Sequence, residues 1–471
     1  MTAMTMQSMD ARRIKLFSAL EWVLIGCSTV LLGIWAMQNT IALRNILLVV
    51  GAVCSLIYWY QNYKVGLFAR DRLSWFHWMP LALIGALFIW VLLQNLFLPT
   101  DKNMQWHELT STWLRAFLTL LLGSGTALAI GRRPKAIAWI GFGLLANFAA
   151  VFYQYLPSAI ERGTLFKTGS GLDNLLGGKV YGALMGTLYF SGLLGVLSDA
   201  LRVNRSFKVL PLSLALLSAI FILYCYVFVL DTRNGLALAM LLSLAWIGIH
   251  AYSIVKGKKM LNSKQLKWMI LICSGFVCAI LFFGYQQFKH NPFWSHFIED
   301  VNISRKIDQH TTWMNNPSIE GYPLAEDGRP VSPSTYERVA WFVAGASIIP
   351  NHPWGVGVLN HSFGRAIKSD YPDASVTTSH CAWIDYALAL GLPGLLLMLS
   401  PLLLCFLIAG ATPNQFSSMV QWLAIGIFLM YSLGELFNQA AVEILIYWMG
   451  VSAALIFPNQ SRRPIEGESS F

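Results

Sequence analysis

Thr377-Thr378-Ser379-His380-Cys381-Ala382-Trp383-Ile384-Asp385-Tyr386, continuing to Gly391-Leu392-Pro393-Gly394, is the stretch on which the reading of this chain turns. It stands where the polar segment 289–380 ends and a long apolar run begins. Thr377, Thr378 and Ser379 are good N-cap residues, so a helix is predicted to start beside His380. The positive end of a helix disfavours imidazolium and keeps the ring neutral. A neutral imidazole at a membrane–water boundary can take a proton from a substrate hydroxyl. The local residues by themselves favour a histidine that is simply satisfied at an interfacial helix end, and it is the company His380 keeps that turns the reading toward chemistry.

Outward from this boundary the composition is that of a membrane protein. The 471 residues are 56% hydrophobic and 12% charged, where soluble domains carry about 25% charged residues. Apolar runs near the length of a bilayer span recur along the chain, which predicts an all-α polytopic membrane protein. The spans are expected at 16–37, 41–61, 76–98, 111–131, 135–156, 179–200, 208–230, 233–253, 267–288, 381–408, 418–437 and 439–457. The chain then divides into nine helices in 1–288, a large loop with short helices in 289–380, three helices in 381–458 and a polar, disordered tail in 459–471. Eighteen Trp and seventeen Tyr suit aromatic belts at the two interfaces, or the bundle core. Six of the seven cysteines fall in apolar runs and Cys381 lies at a boundary, so neither a disulfide framework nor a metal spacing is present.

The net charge of +10 has a topological origin. Basic residues gather in alternate connections: Arg12, Arg13 and Lys15; Lys64, Arg70 and Arg72; Arg132, Arg133 and Lys135; Arg202, Arg205 and Lys208; Lys256, Lys258, Lys259, Lys264 and Lys267; Arg462 and Arg463. These are nineteen of the 33 Lys and Arg, and by the positive-inside rule they place both termini in the cytoplasm. A nucleic-acid partner is not implied. The first apolar stretch is too long for a cleaved secretory signal and reads as a retained helix. On the opposite side lie 99–110, 157–178, the turn Asp231-Thr232-Arg233-Asn234-Gly235 and the loop 289–380. That loop holds Trp294, Trp313, Trp341 and Trp354 and an amphipathic stretch from Tyr336 to Ile349, which predicts a folded layer over the bundle.

Arg233 opens the eighth span, where its guanidinium can address phosphate oxygens or pair with Asp231. Arg338 lies in Tyr336-Glu337-Arg338-Val339-Ala340-Trp341, ahead of Ile349-Pro350-Asn351-His352-Pro353-Trp354-Gly355-Val356-Gly357. His352 is expected to shape that turn, and His361 and Arg365 to lie on a solvated face. Lys179 opens the sixth span, as an anchor or as a further cation, with Arg162 and Lys167 ahead of it. Asp385 and Glu435 are read inside membrane helices, where carboxylates are functional candidates or are bonded to bundle polar groups. Nucleotide-binding glycine loops, a zinc-helix motif and a DxD-like carboxylate pair are absent from the sequence. Cationic side chains would then do the work of a divalent ion on a diphosphate, with no cofactor.

The tract Arg338-x-x-Trp341-x-x-Ala344, with Ile349-Pro350-Asn351-His352-Pro353-Trp354-Gly355-Val356-Gly357, resembles the family of O-antigen ligases and O-antigen polymerases. So does His380-Cys381 followed by Gly391-Leu392-Pro393-Gly394, and Thr232-Arg233-Asn234-Gly235 is similar to the family's Ser-Arg-Gly tract. The predicted twelve helices with one large loop after the ninth match the family's architecture. Three departures stand out: Cys381 follows the histidine where the family has Asn, Ser or Gln, Asn234 precedes the glycine, and Lys179 stands where a clearer arginine is usual.

The resemblance implies a fold like the lipid-linked-sugar (GT-C type) glycosyltransferases and an active site facing the periplasm in the bacterial inner membrane. The implied activity is transfer of a glycan from undecaprenyl diphosphate to a sugar hydroxyl of lipid A–core, in lipopolysaccharide biosynthesis. His380 would be the general base, and Arg233 and Arg338, with Lys179, would hold the diphosphate. O-antigen polymerase and protein O-oligosaccharyltransferase are the alternatives with the same donor. A transporter of lipid-linked glycan is the alternative without chemistry. The oligomeric state is not implied.

Overall fold

The computed structural model describes residues 3–64, 68, 74–98, 101–166, 178–202, 209–256, 263–290, 296–315 and 321–457. Lys167, Trp294, the basic residues Arg70, Arg72, Arg205, Lys208, Lys258 and Lys259, and the tail from Asn459 lie outside them. Among the described residues the regular elements are helices joined by turns and loops, with an isolated bridge between Leu324 and Pro330.

Among the described residues, ten helices are long and apolar enough to cross a membrane. In chain order the α-helices are α1 (Ala3–Ile34), α2 (Ile41–Lys64), α3 (Trp75–Phe97), α4 (Lys102–Glu108), α5 (Leu114–Arg132), α6 (Ile137–Glu161), α7 (Lys179–Arg202), α8 (Val209–Tyr224), α9 (Arg233–Val255) and α10 (Ser263–His290). The outer layer adds α11 (Phe297–Ser304), α12 (Pro333–Ile348) and α13 (Ser362–Ile367) before α14 (Ala382–Ala411), α15 (Ser417–Leu433) and α16 (Gln439–Leu455). The last two are apolar but shorter than the ten. The segment 99–110, read as a connector, is helical from Lys102 and runs through a π-turn, Leu109–Trp113, into α5. A second π-turn, Cys225–Val229, ends α8.

Helix ends are set by local chemistry. The Asp101 side chain accepts from Met104 N at 3.1 Å, and that of Asn438 from Ala441 N at 3.1 Å. The start of α15 is capped from another helix: the Asp199 carboxylate on α7 accepts from Ser418 N and Met419 N at 3.1 and 3.2 Å. α16 packs on α5 and α15 on α7, close enough that a Cβ on Gly123 would stand 2.4 Å from Tyr447 O. At one end of the bundle, buried Glu21 pairs with Arg133 and accepts from Tyr58 Oη at 3.0 Å.

The feature that most shapes the site is a break in α14. Gly391 has φ 70° and ψ 179°, with Pro393 two residues on, so the helix cannot continue through it. The carbonyls freed by the break are taken from outside: Leu388 O by Val356 N at 2.8 Å, Ala389 O by Gly357 N at 2.9 Å and Leu390 O by Trp90 Nε1 at 2.7 Å. Leu392 N returns a bond to Pro353 O at 2.9 Å. The Pro353–Gly357 tract is thus laid into the gap, and the next turn is fixed by Glu108, which accepts from Leu359 N and Asn360 N at 2.8 Å each. Sequence periodicity alone had run this helix unbroken.

The outer layer has its own buried anchor. Asp300 is fully buried, pairs with Arg329 at 3.0 Å and accepts from Ser332 N at 3.0 Å, so α11 is locked to the start of α12. Buried Trp313 donates to Ile307 O and packs edge-on against Tyr371. α12 rests on α14 through Gly345, where a Cβ would meet Ile384.

Candidate functional site

His380 is not on a helix. α14 begins at Ala382 with Cys381 at its N-cap position, so Thr377, Thr378 and Ser379 do not cap it as the sequence suggested. His380 instead occupies the left-handed region at φ 54°. Ser379 holds this turn in place: its hydroxyl bonds Asp385 Oδ2 and Cys381 O at 2.9 Å each and accepts from Cys381 N at 3.2 Å. Asp385 is therefore a tether for the histidine loop, buried in the first turn of α14.

The partner of His380 is Glu435, 3.1 Å from Nδ1. Glu435 lies past the end of α15 at Leu433, and not within a helix as the sequence reading had it. Two bonds bring the segments together: Ala382 N donates to Gly434 O at 3.1 Å, and Asn234 Nδ2 donates to Leu433 O at 3.0 Å. The second also ties the head of α9, with Arg233 at its first position, to the turn carrying Glu435. Trp341 lies flat on the imidazole, 5.0 Å between centroids and 9° between planes, and is fixed by its own bond to Trp313 O at 2.8 Å.

Arg338, one helical turn before Trp341, completes the group. It is half-buried and has no hydrogen bond or ion pair among the described residues. Burial, and then the Arg233 guanidinium nearby, lower its pKa. The imidazole of His380 is held down to about 4, first by burial and then by Arg338. Burial pushes the Glu435 carboxyl up, against the pull of Arg338. A neutral His380 donates Nδ1–H to Glu435 and leaves Nε2 as a free base. Its rotamer is fixed on one face by Trp341 and at the edge by Glu435.

Three of the four residues singled out in the sequence come together here: His380, Arg338 and Arg233. Lys179 does not join the histidine. It lies 4.0 Å from Asp231, both half-exposed, on the turn that leads into Arg233. His352 bonds Ala366 O and Ser369 Oγ at 3.2 Å each and shapes its turn as expected. Arg365 pairs with Asp101 at 3.6 Å. Sequence reasoning missed Trp341 as the histidine's platform, and it left Glu435 unassigned. An acidic residue read as membrane-embedded was the signal for the second, but nothing in the spacing links residues 380 and 435. Among the described residues no three His, Cys, Asp or Glu side chains are grouped as metal ligands would be.

This geometry sets a pH expectation. Protonation of His380 is opposed by burial and Arg338, so loss of its basic form on acidification occurs near pH 4 and not near 6.5. The pH profile of the activity proposed below should stay level from pH 8 down to 6 and fall only below 5. An acidic limb centred near 6.5 would show a solvated, unperturbed histidine. No protein-family model matches the chain, and no curated protein matches it.

Proposed function

We propose that the chain is a membrane-embedded glycosyltransferase of the O-antigen ligase type, with twelve spans, cytoplasmic termini and its site on the periplasmic side. The donor is a glycan on undecaprenyl diphosphate and the acceptor a sugar hydroxyl of lipid A–core. The observation that carries this reading is Arg338: a half-buried guanidinium with no hydrogen bond or ion pair among the described residues, beside Arg233 and next to a histidine kept neutral. Two like charges held together in a partly desolvated place favour a dianionic ligand. A diphosphate has that chemistry.

In the reaction the acceptor hydroxyl attacks the anomeric carbon while the bond from that carbon to the diphosphate oxygen breaks. The leaving undecaprenyl diphosphate keeps the electron pair, and Arg233 and Arg338 stabilise its developing charge. The acceptor proton passes to His380 Nε2, and Glu435 stabilises the imidazolium formed. A single direct displacement inverts the anomeric configuration. Lys179, beside Asp231, lies near enough to the Arg233 turn to attract the diphosphate without being its clamp.

The test is transfer of a purified undecaprenyl-diphosphate glycan to lipid A–core in detergent with chelator present. Product is expected from the wild type. Extension of the lipid-linked glycan without transfer to lipid A–core would replace the ligase by the polymerase, and no product of either kind would overturn the enzymatic reading. Arg338→Gln should weaken donor binding about tenfold or more, since hydrogen bonds to charged groups contribute about 1.5–3 kcal/mol each. Titration with labelled undecaprenyl diphosphate measures it, and unchanged affinity would remove Arg338 from the clamp.

A further inference from the structure

A second charged cluster lies on the continuation of the segment that carries Glu435. Glu443 on α16 is buried, and both of its oxygens are already taken by neutral donors: Oε2 by Trp35 Nε1 and Oε1 by Gln439 Nε2, at 2.8 Å each. Arg115 on α5 comes only to 4.0 Å of Oε1. Arg44, in the first turn of α2, donates Nη1 to Trp35 O at 3.0 Å, and its Nε is buried with no hydrogen-bond partner. Trp35 joins the two, since its carbonyl accepts from Arg44 and its Nε1 donates to Glu443.

Among the described residues, Arg115 faces the Glu443 carboxylate directly and Arg44 lies one residue away across Trp35, so two guanidiniums share one carboxylate. Arg44 stands at a helix N-terminus, where the dipole already disfavours a cation and favours an anion. The arginines are not sealed in: the Arg115 side chain is 26% exposed and Arg44 is partly exposed. The flank of α2 beside Arg44 presents Ile41, Leu43 and Ile46 at 54%, 45% and 60% exposure, as a lipid-facing surface does. An anion reaching this place arrives from the membrane, with apolar chains lying along α2. The planar donor forks suit phosphate oxygens, and Glu443, held by Trp35 and Gln439, stands 4.0 Å from Arg115.

We propose that Arg44 and Arg115 form a binding site for the phosphate of a lipid headgroup, separate from the Arg233–Arg338 site. The chain from Glu435 to Glu443 spans about 18 Å at most, three extended residues and a short piece of helix. A phosphate here and a diphosphate at Arg338 are thus held close enough for one glycan to bridge them. That this lipid is the acceptor rests on the transferase reading; the binding itself does not.

The experiment silences the first site with Arg338→Gln and titrates that protein, purified in uncharged detergent, with phosphatidic acid. Diacylglycerol with the same chains is the control, and native mass spectrometry counts bound lipid. Phosphatidic acid is expected to bind at least tenfold more tightly than diacylglycerol, and added Arg44→Gln or Arg115→Gln to remove about tenfold of that affinity. Inorganic phosphate at millimolar concentration should compete weakly, since it lacks the apolar chains; full displacement by it would overturn the lipid assignment. Equal binding of the two lipids, or phosphatidic acid binding untouched by both substitutions, would overturn the site. Should the glutamine variants not fold, Arg44→Lys and Arg115→Lys keep the charge and lose the fork, and a severalfold weakening is expected in place of none. Absence of transfer by the wild type, with phosphatidic acid binding intact, would count against the transferase reading alone.

Discussion

His380→Ala is expected to lower glycan transfer by about 10²–10⁴-fold, the usual contribution of a positioned base, while donor binding is retained. The separation follows from geometry. His380 faces Glu435 through Nδ1 and offers Nε2, whereas the proposed anion clamp is the separate pair Arg338 and Arg233. Removing the imidazole takes away the proton acceptor and leaves the clamp. Single-turnover transfer and equilibrium binding of labelled undecaprenyl diphosphate, measured on the same preparation, check the two halves. Full transfer by the variant would remove His380 from the reaction, and loss of both functions together would mean that the ring supports the site structurally. Glu435→Gln preserves the shape of the hydrogen bond but not the charge opposite the imidazolium. Its expected effect is a smaller loss in kcat, a part of that same range of about 10²–10⁴, with donor binding unchanged.

Gly391→Ala should destabilise the protein by about 3 kcal/mol or more, combining about 1–3 kcal/mol of backbone strain with about 1–3 kcal/mol of overpacking. At φ 70° and ψ 179° the position is open to glycine and almost nothing else. An added Cβ would also lie 2.4 Å from Trp354 C and 2.5 Å from Pro353 O, backbone atoms that cannot swing away. The bonds from Val356, Gly357 and Trp90 that fill the break depend on this approach. Gly248→Ala is the matched control: it lies inside α9 with nothing within 4 Å of its added Cβ, so the helix gains about 0.5–1 kcal/mol. Thermal unfolding midpoints in one detergent compare them. Similar midpoints for the two variants would show that the 353–357 tract is not packed into the break.

Much of the bundle could be read from hydropathy. The described helices begin and end within a few residues of the expected spans over most of the chain, because the distance from one polar boundary to the next sets helix length directly. Arg233 and the start of α9 were legible for the same reason, with Thr232 as N-cap just before an apolar run. Arg338 was legible as a cation on an amphipathic helix. The start of α14 was legible to within a residue, but its cap was not: three adjacent cap-forming residues outweighed Cys381 in any propensity argument, whereas Asp385 uses Ser379 to pull the chain into a left-handed turn.

What the sequence determined by itself is therefore the set of apolar helices, the folded layer ahead of the last three, and the residue types able to hold a diphosphate and move a proton. Those are properties of local composition and spacing. Tertiary structure alone decided that Glu435 meets His380, that Trp341 covers the ring, and that Arg338 comes beside Arg233. Each of these contacts joins segments separated in sequence by 39 residues or more. Leu433 and Gly434, at the end of α15, offer carbonyls that the Asn234 side chain on α9 and the Ala382 N–H on α14 take, Trp313 O holds Trp341 in place, and no periodicity along the chain records such a meeting.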